Sequence, residues 1–168
     1  NYEATQGDKT SKVYMKNLYV SGTPQFAGTF GVRYFIDYWF LGANLNAFGR
    51  NYIDVAPARR MEGIYNTVDP TLPETMDTYY AMTTQERIGS ACTLDLSVGK
   101  IFYLRNRQSI NFNLSVNNVL NKRDIRTGGY EQARVFASDG ALVNPALFPN
   151  KYYYMQGINC FANISYRF

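Results

Sequence analysis

Five stretches of the chain alternate apolar and polar residues with a period of two, which commits each to a β-strand with one apolar face. The clearest is the last. Ile158, Cys160, Ala162, Ile164, Tyr166 and Phe168 fall on one side, and Gly157, Asn159, Phe161, Asn163, Ser165 and Arg167 on the other. Ile110, Phe112, Leu114 and Val116 alternate with Ser109, Asn111, Asn113, Ser115 and Asn117. Cys92, Leu94, Leu96 and Val98 alternate with Ala91, Thr93, Asp95, Ser97 and Gly99. Trp39, Leu41, Ala43, Leu45 and Ala47 alternate with Phe40, Gly42, Asn44, Asn46 and Phe48. Phe26, Phe30, Val32 and Tyr34 alternate with Gln25, Ala27, Thr29, Gly31 and Arg33, Gly28 interrupting the apolar side. Strands of about 9 to 16 residues exceed the usual 5 or 6 of soluble sheets and suit tilted strands that cross a bilayer.

The connections alternate in length. Asp37 and Tyr38 make one tight turn, and Arg105, Asn106, Arg107 and Gln108 another. Long loops are expected at 51–87 and 119–151, and residues 1–19 are read as the end of a further strand or long loop. Short turns at one end and long loops at the other match outer-membrane barrels, whose short turns face the periplasm. Loops of this length are uncommon in compact domains unless they carry function.

The composition agrees. Charged residues make up 18% and aromatics 16%, against roughly 25% charged in soluble domains. Aromatic richness excludes a disordered chain. The abundant Tyr, Phe and Asn argue against a helical bundle. No apolar run approaches the roughly 18 residues of a membrane helix, an absence that leaves a membrane barrel open. The net charge of +4 is scattered rather than gathered on one face, so no nucleic-acid partner is expected. There is no histidine, so a Ser-His-Asp or Cys-His triad cannot be built. No enzyme activity, cofactor or resident metal is expected. The chain opens on Asn1 without a signal peptide, which reads as a cut, mature or truncated start.

The polar side of the strands carries Asn, Ser, Gly and Thr, suited to a barrel lumen or to a surface covered by an internal domain. Arg33, Asp95 and Arg167 fall there, set to pair with such a domain or with one another. Tyr34, Trp39, Phe102, Tyr166 and Phe168 mark an aromatic rim at the short-turn end, and Tyr152 and Tyr154 one at the other. Lys100 falls on the apolar side near the short-turn end, where its head group can snorkel to the interface. Cys92 and Cys160 lie two strands apart, about 9–10 Å at least. That is too far for a disulfide, so both are expected to be unpaired thiols.

Longer motifs add a family resemblance. The ending Asn163-Ile164-Ser165-Tyr166-Arg167-Phe168 resembles the carboxy-terminal assembly signature of outer-membrane proteins, with Ile164, Tyr166 and Phe168 as its aromatic and apolar positions. Ser115-Val116-Asn117-Asn118-Val119-Leu120-Asn121-Lys122-Arg123 resembles the penultimate-strand motif of TonB-dependent receptors. So do Asn51-Tyr52-Ile53-Asp54-Val55-Ala56-Pro57, Arg126-Thr127-Gly128-Gly129-Tyr130-Glu131-Gln132, and 148–157, which begins Phe148-Pro149-Asn150-Lys151. The chain is thus similar to the carboxy-terminal barrel segment of a TonB-dependent receptor, of the general or SusC-like type.

The resemblance implies an all-β fold, an antiparallel transmembrane β-barrel segment forming the last five or six strands of a 22-stranded barrel. It implies nutrient uptake across the outer membrane of a Gram-negative bacterium. The implied partners are the lipid bilayer, the rest of the receptor with its plug domain, the TonB complex acting through the absent amino-terminal part, and the barrel assembly machinery. In the SusC-like version a surface lipoprotein joins them.

The ligand-facing candidates are the Tyr and Arg residues of the two long loops: Arg59, Arg60, Tyr65, Tyr79, Tyr80, Arg126, Tyr130 and Arg134, with Arg123 beside them. Tyr and Arg suit sugars, peptides and anionic chelates alike, so iron chelate, vitamin, glycan and peptide all fit. The competing reading of each is packing within the loops. Asp69, Glu74, Asp77 and Glu86 form a loose acidic group whose spacing does not match an EF-hand. Two further classes compete with the receptor: a passive or structural outer-membrane barrel such as a porin, and a soluble β-sandwich binding module.

Overall fold

A computed structural model describes residues 2–6, 9–134, 137–138, 141–142 and 147–168. Parts of the segments expected at 1–19 and 119–151 therefore lie outside the described residues. In chain order the elements are β1 (Tyr2–Gln6), β2 (Lys9–Val13), β3 (Phe26–Ile36), β4 (Trp39–Gly49), β5 (Asn51–Tyr52), a 3-10 turn (Pro57–Arg60), α1 (Glu62–Tyr65), α2 (Pro73–Thr83) and β6 (Arg87–Ile88). There follow β7 (Ala91–Tyr103), β8 (Ser109–Asn117), β9 (Arg126–Tyr130), β10 (Ala137–Ser138), β11 (Ala141–Leu142), β12 (Lys151–Tyr154) and β13 (Asn159–Arg167). The fold is predominantly β with antiparallel sheets, beside an isolated parallel bridge between Asp54 and Tyr130. It divides into two compact units, one of residues 1–23, 51–88 and 127–153, the other of 24–50, 89–126 and 154–168.

The second unit is built on a five-stranded sheet in the order β13-β8-β7-β4-β3. All five strands are those expected from the alternation. Their register aligns the apolar sides into continuous rows. One row runs Ile36, Trp39, Lys100, Phe112, Ile164; the next Tyr34, Leu41, Val98, Leu114, Ala162; the next Val32, Ala43, Leu96, Val116, Cys160. One-residue slips would send every apolar side chain to the polar face, so four pairings in the same phase are what a one-sided sheet requires. The sheet does not close into a barrel. Among the described residues β3 and β13 are its two edges.

No described element of this unit covers the apolar face. Phe30 and Ile164 are about 70% exposed, and even Leu45, flanked by β3 and β7, is 47% exposed. The opposite face is knit by polar side chains. The Thr29 hydroxyl donates to Asn46 Oδ1 (2.9 Å), and Asn46 Nδ2 donates to Asp95 Oδ2 (2.7 Å). Asp95 Oδ1 accepts the Asn118 amide at 2.8 Å. Asp95 is thus used by neutral donors, and among the described residues Arg33 and Arg167 make no ion pair with it. Gly99 sits where an added Cβ would press on the Asn113 side chain and the Phe112 carbonyl, so a larger residue there would make Asn113 move.

Both tight turns use left-handed backbone. Asp37 and Tyr38 have φ of 44° and 65°, the two-residue geometry that matches strand twist. Tyr is a poor choice for positive φ. It is held by its carbonyl accepting Ile101 N–H at 3.0 Å and by an edge-on contact with Tyr103. The second turn, closed by Leu104 N–H donating to the Gln108 carbonyl, places Asn106 and Arg107 at positive φ.

At the far end of the sheet, the segment after β8 shows what its Asn residues do. Asn118 and Asn121 both adopt φ of 51°, a region Asn tolerates better than other residues. Asn118 Nδ2 donates to the carbonyls of Lys122 and Gln156, and its Oδ1 accepts Lys122 N–H. Asn121 Oδ1 accepts Ile158 N–H at 3.0 Å and Arg123 Nε at 3.1 Å. The two side chains tie the exit of β8 to the entry of β13. Asn118→Ala should destabilise the protein by about 2–3 kcal/mol, the sum of left-handed strain and lost buried hydrogen bonds. Asn118→Gly should recover only the strain. Chemical unfolding midpoints of the two variants check this, and equal losses would contradict it.

The stretch 51–87 is not the structureless loop the sequence suggested. It holds β5, the 3-10 turn, α1, α2 and the start of β6. Pro57 and Pro73 stand in the first turns of the 3-10 turn and of α2, where a missing N–H costs nothing. Asp69 accepts the Thr71 amide and hydroxyl just ahead of α2. Residues 1–19 likewise contain the hairpin β1-β2. The segment 119–151 contains β9, β10 and β11, and β12 follows from Lys151. Helices this short leave almost no apolar periodicity to read.

Candidate ligand-facing site in the long connections

The first unit is assembled from chain segments far apart in sequence. Ile53 N–H donates to the Glu86 carbonyl, Asp54 N–H to the Gly129 carbonyl, and Glu131 N–H to the Asp54 carbonyl. Tyr14 N–H donates to the Arg60 carbonyl. Val13, Ile53, Met82 and Ile88 are fully buried. Gly129 is required by close approach, since a Cβ there would meet the Lys151 carbonyl and Ile53. Three of the motifs that carry the family resemblance, around 51–57, 126–132 and 148–157, contribute residues that meet in this unit.

Its centre is an ion pair. Arg60 Nη1 reaches Glu131 Oε2 at 2.6 Å and Nη2 reaches Oε1 at 2.8 Å, with side-chain exposures of 3% and 2%. The same guanidinium donates to the carbonyls of Ala56 and Thr83, and Glu131 Oε2 also accepts Ala56 N–H. This two-pronged geometry suits a buried charge pair, because the four N–H groups of Nη1 and Nη2 that burial strips of water find acceptors again. Arg59 is equally buried and donates to the carbonyls of Gln132 and Phe148. Burial pushes its guanidinium pKa down, Glu131 nearby opposing that shift. Arg59 and Arg60, expected among the ligand-facing residues, are placed inside the unit and hold its segments together. Sequence alone cannot separate the two uses, since Glu131, Gln132 and Phe148 lie more than seventy residues away.

Tyr65, Tyr79 and Tyr80 are brought together. Tyr65 packs edge-on to Tyr79 (centroids 5.7 Å apart), which in turn contacts Tyr80 at 6.0 Å. Tyr14, not singled out from the sequence, joins through Tyr65 at 5.7 Å. Its only signal was membership of the amino-terminal segment. Tyr65 and Tyr80 are about half exposed. Partial burial raises the Tyr79 phenol pKa, with Tyr65 adding to the shift. Two hollows adjoin the cluster. One of about 400 Å³ is lined by Tyr65, Asn66, Val68, Pro70 and Met76, and one of about 230 Å³ by Tyr2, Glu3, Lys12 and Tyr14. The Tyr65 hollow carries no charged group, and an aromatic face beside such a hollow can grip a ligand that is partly apolar and partly hydroxylated or amidic.

The remaining candidates make contacts of their own. Tyr130 contacts Tyr153 at 6.0 Å, and Arg134 stacks over Phe148 at 5.3 Å. Arg126 is exposed at the start of β9, and Arg123 is held by Asn121. Glu86 accepts Asn150 Nδ2 and the Tyr152 hydroxyl. Among the described residues no three acidic or thiol groups converge as metal ligands. Cys92 and Cys160 are both unpaired. Ile164, Tyr166 and Phe168, the assembly positions, are exposed on the apolar side of β13 and just beyond it. No helix is long and apolar enough to cross a membrane, which says nothing of a barrel. No protein-family model, curated protein or solved structure matches the chain.

Proposed function

We propose that the chain is a stretch of outer-membrane barrel wall from a TonB-dependent receptor, active in nutrient uptake. The observation that supports it most is the uncovered apolar face, continuous over five strands, with exposed large apolar side chains on β3, β4, β7 and β13 and half-buried ones on the central β8. In water a contiguous exposed apolar face invites aggregation. Against acyl chains it is the expected surface of a barrel strand, with the polar Asn- and Ser-rich face turned to the lumen. The free edges of β3 and β13 would be satisfied by further strands of the same barrel, because a bilayer tolerates no unpaired edge.

In this reading the long connections emerge on the outside of the cell, and the tyrosine cluster meets the incoming ligand. The mechanism is transport rather than chemistry. Ligand binds the outer connections and the plug, TonB pulls on the plug, and ligand passes inward. The chain supplies wall, ligand-facing connections and the assembly strand.

Fractionation of Gram-negative cells expressing the full-length protein tests the reading. The protein is expected in the outer membrane, resistant to carbonate extraction. Protease added to intact cells should cut within 51–88 or 127–153 and spare the five strands. A detergent-free monomer in the soluble fraction would overturn it.

A further inference from the structure

We infer that the apolar face carries a phospholipid site, with the lipid phosphate on Lys100 and one acyl chain along the neighbouring groove. The inference rests on the barrel-wall reading and specifies a ligand for that wall.

Lys100 is the one charged residue in the apolar rows of the five strands. Its ammonium lies 4.4 Å from the Trp39 ring centre and 5.2 Å from that of Phe102. Among the described residues no carboxylate pairs with it. The aromatic faces fix the cation in place without neutralising it, so its charge is left for an anion from outside. Arg105, Arg107 and Arg167 lie at the same end of the sheet, where Asp37 and the Phe168 carboxylate only partly offset them, a bias that favours a plane of phosphates.

Directly beyond the Lys100 row, a hollow of about 520 Å³ opens on the apolar face. Its floor includes Leu41, Ala43, Leu96, Val98, Leu114 and Val116. Small Ala43 between Val32 and Leu96 deepens it. The volume lies within the roughly 300–1,000 Å³ of small-molecule sites. One cation at the mouth of an apolar groove complements an amphiphile with an anionic head and a long tail. Free phosphate has no use for the groove, and a plain hydrocarbon none for Lys100.

Native mass spectrometry of the full-length protein in detergent micelles tests this with three probes: dipalmitoyl phosphatidylglycerol, its dihexanoyl analogue and inorganic phosphate. The wild type should retain the long-chain lipid and not inorganic phosphate. Lys100→Gln should weaken retention about fivefold, the effect of one interfacial cation. Ala43→Phe, which fills the groove, should weaken the long-chain lipid and leave the short-chain analogue unchanged. Long-chain binding equal in all three proteins overturns the site while leaving the wall reading intact. Retention of inorganic phosphate in place of lipid also overturns it. A wild type that stays a soluble monomer without detergent defeats the wall reading first and the site with it.

Discussion

Glu131→Ala should cost the connection-built unit about 3–5 kcal/mol, the penalty for stranding one member of a buried ion pair. Arg60 would keep its bonds to the Ala56 and Thr83 carbonyls but lose both carboxylate contacts, and the Ala56 amide would lose its acceptor. A charge that is 97% shielded cannot turn to water without opening the segments around it. Hydrogen exchange should show the loss as faster exchange at the amides of Asp54, Ala56 and position 131, with the five-stranded sheet unchanged. Arg60→Met combined with Glu131→Leu should recover much of the loss, since removing both charges removes the stranded one. A single-variant loss below about 1 kcal/mol would show that the pair contributes no more than a surface bridge.

Leu96→Arg should be the most damaging single change in the sheet if that face meets lipid. Leu96 sits at mid-height on the apolar side of the third strand of the sheet, and is 42% exposed. In water an exposed Leu-to-Arg change is worth within about 0.5 kcal/mol either way. At the middle of a bilayer an outward Arg costs about 2–4 kcal/mol. Thr29→Lys, on the opposite face of the edge strand, should be tolerated by comparison. Heat-modifiable gel migration and the yield of membrane-inserted protein read the difference. Equal tolerance of the two changes would place the apolar face in contact with something other than acyl chains.

How much of this was legible depended on range. Strand identity and face came from neighbours two residues apart, and so the five strands and the place of Lys100 could be read directly. The two turns could be located, but their left-handed backbone could not, because neither Asp-Tyr nor Arg-Asn-Arg contains the Gly that usually marks it. The Asn-rich stretch after β8 was visible as a motif. Its role as a clasp depends on Gln156 and Ile158, whose approach no local pattern announces. The helices of 51–87 escaped because four- and eleven-residue helices with little amphipathicity resemble polar loop. Arg60 and Tyr65 looked alike as loop residues, yet one is at the centre of the unit and the other at its surface.

By itself, then, the sequence determined a one-sided antiparallel β-structure with long excursions, because side-chain alternation is dictated by the two-residue repeat of the strand. Only the tertiary structure decided the strand order, the uncovered state of the apolar rows, the Arg60–Glu131 centre and the gathering of Tyr14 with Tyr65, Tyr79 and Tyr80. Those features join residues separated by tens of positions. Their partners are selected by burial and hydrogen-bond satisfaction after the chain has closed its loops, and no local period records that choice.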